Sequence, residues 1–386
     1  MQRSAERILT THVGSLPRPP SLADLLVRQE AGERVDEARL LREARAAVSD
    51  VVGRQIAAGI DIVNDGEQPR VGFQTYVPQR MRGFGGQSQR PAPRDLAEFP
   101  EVLAMMVRRF PSISKISNAP QAISEISYDD LSAAREELSL FEEATVGAAP
   151  VERFMTAPSP GIIATTMLNA HYDSHERYVF ALAAEMRKEY ELIVSAGLVL
   201  QIDAPDLAME RSVLFQDRTM AEFLDIAAMH VEALNGALAN IPPDRIRLHC
   251  CWGNWEGPHV HDAPLAEILP VLYGARAEGL SLEFANPRHQ HELAAFQGHA
   301  LPDDKILLPG AIDTTTNYVE HPEVVADRIC AAASAAGDPT RVIASADCGF
   351  GTFAGYEFVA APVVWTKLAA LTQGAAIASR RLGFAS

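Results

Sequence analysis

The chain is short of cysteine, short of basic residues relative to acidic ones, and has no long apolar run. Only four of its 386 residues are cysteine, at 250, 251, 330 and 348. That is too few for a disulfide-stapled scaffold and suits a reducing cytoplasm, where cysteine serves as a ligand or a small buried residue. Lys plus Arg number 34 against 50 Asp plus Glu, a formal charge of −16. Such a chain has no field for gathering phosphate backbones, which argues against a nucleic-acid partner. No apolar stretch approaches the roughly 18 residues that span a membrane, and the opening residues lack the apolar core of a signal peptide. The expectation is a soluble, cytoplasmic protein with no membrane partner; nothing in the composition bears on oligomeric state. No G-x-G-x-x-G follows a strand-like run, which counts against a doubly wound dinucleotide-binding sheet.

What is present is a rhythm. Eight short runs rich in Ile, Val and Leu recur at Ile8–Ser15, Ile60–Asn64, Glu152–Thr156, Leu198–Asp203, Arg245–Cys250, Leu280–Phe284, Lys305–Leu308 and Arg341–Ser345. Their length and composition are those of strands buried on both faces. Helical periodicity over 39–58, 176–196, 219–239, 264–277 and 322–336 separates them. Strand and helix in alternation predict an α/β fold of the (β/α)8 TIM-barrel class. The whole chain, 1–386, then forms one catalytic domain. Residues 65–150 break the rhythm and read as an excursion after the second strand that folds over the barrel mouth as a lid. Within it, Gly83–Arg94 is turn-rich with no apolar period, and Ile113–Ile116 is a further short run.

Barrel enzymes carry their chemistry at the C-terminal ends of the strands. The polar clusters there supply His12 and Ser15; Asp65 and Glu67; Thr156 and Ser159; Asp203; His249, Cys250 and Cys251; Glu283 and Asn286; Asp313; and Asp347 and Cys348. Among these, His249, Cys251, Glu283 and Cys348 form a donor set of the kind Zn²⁺ favours. His249 and Cys251 alternate, so both can face one side of the strand end, whereas Cys250 faces the helices. Cys330 sits in an Ala-rich helical stretch and reads as core. His259, His261, His289 and His291 have ligand-like spacing but lie on polar loops, where solvated or supporting roles fit better. Two thiolates and a carboxylate leave zinc a modest Lewis acid, poorly matched to water activation. A thiol substrate would still ionise there and stay nucleophilic. Thiol alkylation is therefore the expected chemistry, with zinc-dependent hydrolysis as the competitor and a non-catalytic metal-binding barrel behind it.

The ordered segments Thr11–Pro19, Asp65–Glu67, Gln201–Pro205, Leu248–Cys251, Leu282–Glu283 and Ala346–Gly349 resemble the catalytic barrel of the cobalamin-independent methionine synthase family. The resemblance runs nearly end to end and lacks that family's second, N-terminal barrel. It implies zinc on His249, Cys251, Glu283 and Cys348. It also implies an amino-acid thiol, homocysteine, held by Ser15 on its carboxylate side and by Glu67 and Asp203 on its amino side, with the backbone around Val13 assisting. The second substrate would be a small-molecule alkyl donor, a methylated folate among the candidates.

Three departures qualify the likeness. Where the family has a histidine two positions after the aspartate of the seventh strand, this chain has Asp313 followed by Thr315, and His321 is the nearest imidazole in sequence. No tryptophan follows Thr156 to stack on a pterin; His171 and Tyr172 are the nearest flat side chains. The family's Asp-Glu-Pro appears as Asp203-Ala-Pro205. Catalytic duty is accordingly expected of Asp313, Thr315 and His321, with the thiol half intact and the folate half altered. The related epoxyalkane:coenzyme M transferases offer the alternative, thiol addition to an epoxide. Coenzyme M carries a sulfonate, for which Arg18, Arg70 and Arg80 are the candidate partners. Trp252, Trp255 and the Gly253–His259 loop read either as pocket walls or as packing beneath the lid.

Overall fold

Every one of the eight apolar runs becomes a strand in the computed structural model, which describes residues 1–109 and 119–384. In chain order the strands are β1 (Leu9–Thr10), β2 (Ile62–Val63), β3 (Met81–Gly85), β4 (Gln121–Tyr128), β5 (Glu152–Pro158), β6 (Val199–Asp203), β7 (Ile246–His249), β8 (Gly279–Leu282), β9 (Ile306–Ile312) and β10 (Ile343–Ala346). All but β3 and β4 form one parallel sheet in the order β1-β10-β9-β8-β7-β6-β5-β2. The two ends of that sheet meet. Asp61 N–H donates to Thr10 O at 3.2 Å, and Thr11 Oγ1 donates to Ile62 O at 3.1 Å. The result is a (β/α)8 barrel with a thin seam between β1 and β2.

The period-two alternation of the strands sorts side chains between two cores. Leu9, Ile62, Phe154, Val199, Ile306, Leu308 and Ile343 point inward and fill the floor of the barrel. Their outward neighbours, including Leu200, Ile202, Leu248, Leu280 and Cys250, join the larger core beneath the helices. Cys250 therefore faces away from the barrel axis, as its place in the alternation predicts. The helices run over Glu37–Ala57, His175–Ser195, Met220–Ala237, Leu265–Tyr273 and Pro322–Ala336, within a few residues of the periodic stretches. The stretch predicted to reach 277 stops at Tyr273, followed by Gly274 as its C-cap. Cys330 is half-buried on the last of these helices, packed against the core. No helix among the described residues is long and apolar enough to cross a membrane.

The excursion is more ordered than its composition suggests. Residues 83–85, read as part of a turn-rich segment, lie in β3, which pairs antiparallel with β4 through a register shift between Arg82 and Phe84. Gly83 sits there with φ +99°, and a Cβ would press on Glu125 O. Only glycine tolerates that bulge, which hides the strand from any apolar period. Two short helices, Arg94–Glu98 and Pro100–Arg109, follow. The Ile113–Ile116 run lies outside the described residues.

Asp61 holds the seam. Its carboxylate accepts from Thr10 N–H at 2.9 Å and Thr10 Oγ1 at 3.0 Å, both buried. We expect Asp61→Ala to cost about 2–3 kcal/mol, because it strands the buried Thr10 N–H and removes the carboxylate that pairs with Arg7. The shift in denaturant midpoint measures it.

Candidate active site

The inward-facing layer above the apolar floor is polar, and it is built from alternate residues of neighbouring strands. On β6 these are Gln201 and Asp203; on β7 they are Arg247 and His249. The fully buried Arg247 guanidinium donates to Gln201 Oε1 (2.8 Å), Thr11 Oγ1 (3.0 Å) and His12 O (2.8 Å). It also lies 3.5 Å from the Phe154 ring centroid. Burial pulls its pKa down to about 9. Gln201 Nε2 in turn donates to Val13 O and, at 2.7 Å, to Asp203 Oδ1.

Asp203 Oδ1 also accepts from His249 Nδ1–H at 3.0 Å. This bond places the proton on Nδ1 and leaves the Nε2 lone pair available. Nε2 is buried and has no hydrogen-bond partner. The ligand atoms of His249, Cys251 and Cys348 all lie within 4.8 Å of one another. Cys251 is drawn down to about 7 by the thiol hydrogen bond with Cys348 and then by His249, with burial opposing. An imidazole with an idle nitrogen facing two thiols fits a soft, tetrahedral metal ion such as zinc.

Glu283 is not within that distance of all three. Its Oε1 accepts from Trp252 N–H at 3.1 Å and its Oε2 from Asn286 Nδ2 at 2.8 Å. Burial and then Cys251 push its pKa well up. Its position depends on Asp347, whose carboxylate accepts from the N–H groups of Phe284, Ala285 and Asn286 at 2.8–2.9 Å. Asp347 thus organises the turn after β8 from the end of β10.

The same cavity, about 350 Å³, is lined by Val13, Ser15, Glu67, Asp203, His249, Cys251 and Cys348. Ser15 is no helix cap, since the following helix begins at Pro20 after Pro19. Gly349 packs so closely against it that a Cβ would collide with Ser15 Oγ. Glu67 is held with φ +55°, in the left-handed region, a strained conformation that points to a positional requirement. Its N–H donates to Asp65 Oδ1 at 3.0 Å. Its Oε1 accepts from Thr156 Oγ1 at 2.8 Å, while Oε2 is buried without a partner. Burial, then repulsion from Asp203, raises its pKa to about 7. Two neighbouring carboxylates that repel each other favour a cation between them.

Other candidates fall elsewhere. Asp313 accepts from Thr315 Oγ1 at 2.9 Å, and neither lines the cavity. His321 is exposed; its Nδ1 accepts from Glu323 N–H as the cap of the Pro322–Ala336 helix. Its place in sequence brought it close to β9, but the cap turns it outward. His171 is exposed, and Tyr172 stacks on Tyr178 with centroids 5.3 Å apart; neither reaches the cavity. Arg18 donates to Glu67 O, Arg70 pairs with Glu137, and Arg80 pairs with Glu137 and Glu189. His259 and His289 converge on Asp262, at 2.9 and 3.0 Å. The second nitrogen of each is also engaged, by Trp255 O and Glu292, so this cluster is a hydrogen-bonded brace. His289 stacks on Trp252 at 4.2 Å between centroids, and Trp252 and Trp255 both line the cavity.

Gln201 and Arg247, and the roles of Thr156 in holding Glu67 and of Asp347 in forming the turn, were not assigned from sequence. Two of them, Gln201 and Arg247, stand two residues before an assigned one on the same strand, a signal that alternation offers.

Residues 99–369 match the model of the cobalamin-independent synthase family, catalytic domain. A methionine synthase from Thermococcus kodakarensis is 24% identical over 378 residues, covering 97% of this chain and 94% of its own length. A 2-hydroxypropyl-CoM lyase from Xanthobacter autotrophicus is 23% identical over 364 residues, covering 83% of this chain and 84% of its own. Among solved structures, a B12-independent methionine synthase from Shewanella sp. W3-18-1, in complex with selenomethionine, superposes with a TM-score of 0.72 at 22% identity. It covers 97% of this chain and 99% of its own, and shares the barrel fold.

Gly349→Ala should displace Ser15 while leaving the metal-type donors in place. We expect at least a tenfold weaker binding of an amino-acid ligand with an unchanged far-UV spectrum; unchanged affinity in a ligand titration would show that Ser15 plays no part in binding.

Proposed function

We infer the activity of this chain from its kinship: it belongs to the cobalamin-independent synthase family, through the catalytic domain. We propose that it is a zinc-dependent transferase that alkylates a thiol, with methyl transfer to homocysteine as the reaction. The observation that carries this reading is the meeting, in one cavity, of two unlike unsatisfied groups. One is the idle Nε2 of His249 beside two thiols; the other is the idle Oε2 of Glu67 beside Asp203.

A zinc ion held by His249, Cys251, Cys348 and Glu283 would supply the Lewis acidity that ionises a thiol near neutral pH. The rest falls to the chain's own side chains. Asp203 keeps His249 in the Nδ1–H tautomer, so Nε2 faces the cavity. Glu67 and Asp203 receive the ammonium group of an amino-acid thiol, which would return Glu67 to its ionised form. Ser15 donates to the carboxylate. Together they fix the substrate by its amino-acid end and direct its sulfur toward His249, Cys251 and Cys348. The segment from Arg90 to Val107 contributes to the cavity wall, which supports reading the excursion as a lid that keeps water from the sulfur.

A thiol carrying a sulfonate is served less well. Arg18, Arg70 and Arg80 each hold an acceptor of the chain and none of them lines the cavity, and the carboxylates that would face the sulfonate repel it.

Purified protein should hold one zinc per chain, lost in Cys251→Ser and in Cys348→Ser. Asp203→Asn should keep the fold and weaken zinc binding 10–100-fold, the usual effect of removing the partner that orients a ligating histidine. Metal analysis with a competing chelator reads both; zinc content indifferent to all three changes would end the proposal.

A further inference from the structure

The part of the cavity not taken by the amino-acid end has a distinct character. Its wall includes the rings of Phe73, Trp255 and Phe353, and the two phenylalanines lie 5.8 Å apart in a tilted pair. Its charges are negative or cancelled. Arg90 lines it; its charge is balanced by an ion pair with the fully buried Glu210, although its Nε is left without a partner. Asp262 is held by His259 and His289. Asp95 also lines it, buried; its Oδ1 accepts only Val260 N–H, at 2.8 Å, and among the described residues no cation pairs with it. Gln74, again on the wall, has a buried Oε1 with no partner. Aromatic faces, an unpaired carboxylate and an idle carbonyl oxygen are all attractive to a cation and unfavourable to an anion.

A second observation bears on the leaving group. His249 is the one imidazole among the described lining residues, and its nitrogens face Asp203 and the thiol cluster. Asp313 and Thr315 bond to each other off the cavity, and His321 caps a helix. Among the described lining residues, a donor whose leaving atom must be protonated as it departs, such as a folate amine or an opened epoxide, would have to draw on Tyr356, whose phenol burial makes a weaker acid than usual, or on Glu67, already given to the ammonium group.

Resting on the thiol-alkylation reading above, we propose that the alkyl donor is a methyl onium compound, a sulfonium or quaternary ammonium, seated against Trp255, Phe73 and Phe353 with Asp95 as its counter-charge. The step balances without an acid. The thiol loses its proton to solvent on ionising. The sulfur lone pair forms the new S–CH3 bond, the bond from methyl to the onium atom breaks, and its electron pair stays with that atom. The donor leaves as a neutral thioether or tertiary amine, so positive and negative charge are annihilated together. Loss of the positive charge also removes the product's hold on the aromatic wall.

The test compares two isosteres on the zinc-loaded protein: choline, and the neutral 3,3-dimethylbutan-1-ol, with tryptophan fluorescence and calorimetry as readouts. Choline should bind at least tenfold more tightly. Asp95→Asn and Trp255→Leu should each erode that preference several-fold, the second while keeping the wall apolar. A trialkylsulfonium should then methylate homocysteine, and a methylated folate should not. Equal affinity for the two isosteres, or turnover with the folate and none with the sulfonium, overturns the proposal. Proton release on adding homocysteine alone is followed in parallel. Release without an onium preference means the donor assignment is wrong and the thiol reading stands; no release means the thiol reading has failed and the donor assignment with it.

Discussion

One buried carboxylate sets the geometry of the barrel mouth. Asp203 ends β6 and accepts from Gln201 Nε2 and from His249 Nδ1–H through the same oxygen. The first bond ties it to the ladder running through Arg247 to Thr11 and His12 on the opposite side of the barrel. The second decides which nitrogen of His249 is free. A carboxylate so placed also adds, by repulsion, to the upward shift that burial imposes on the Glu67 pKa, so one residue conditions both halves of the site. Burying this many polar groups is costly unless each is satisfied. The atoms left unsatisfied are therefore informative, and at this cavity they include His249 Nε2, Glu67 Oε2 and Gln74 Oε1.

Supporting contacts hold the remaining pieces. Asp347 receives three backbone N–H groups from the turn after β8, and through Asn286 that turn holds Glu283. Cys348 follows Asp347 directly, so one strand end presents a thiol and organises a neighbouring carboxylate. Thr156 on β5 fixes the Glu67 carboxylate, while Asp65 and Arg18 hold its left-handed backbone. Family membership and barrel fold are consistent with this construction, since a barrel mouth collects residues from distant parts of the chain.

The eight strands were readable because their two-sided burial produces short, dense apolar runs that helices cannot mimic at that length. Cys250 and Cys251 could be told apart because alternation assigns adjacent residues to opposite faces. The hairpin of β3 and β4 was not readable, since the bulge at Gly83 breaks its period and β4 is largely half-buried or exposed. His321 misled for a related reason: nearness in sequence to β9 says nothing of direction, and helix capping turned the ring outward. The aromatic wall was foreseeable only in part. Trp252 and Trp255 follow a strand end, but Phe73 and Phe353 come from segments distant in sequence that pack together across the cavity.

The central claim is that a thiol substrate joins the donor set of His249, Cys251, Cys348 and Glu283. X-ray absorption at the zinc edge tests it most directly, with spectra taken before and after homocysteine is added. The expected result is a shell with two sulfur neighbours that gains a third on addition. A shell that keeps the same sulfur count with saturating homocysteine would contradict the claim.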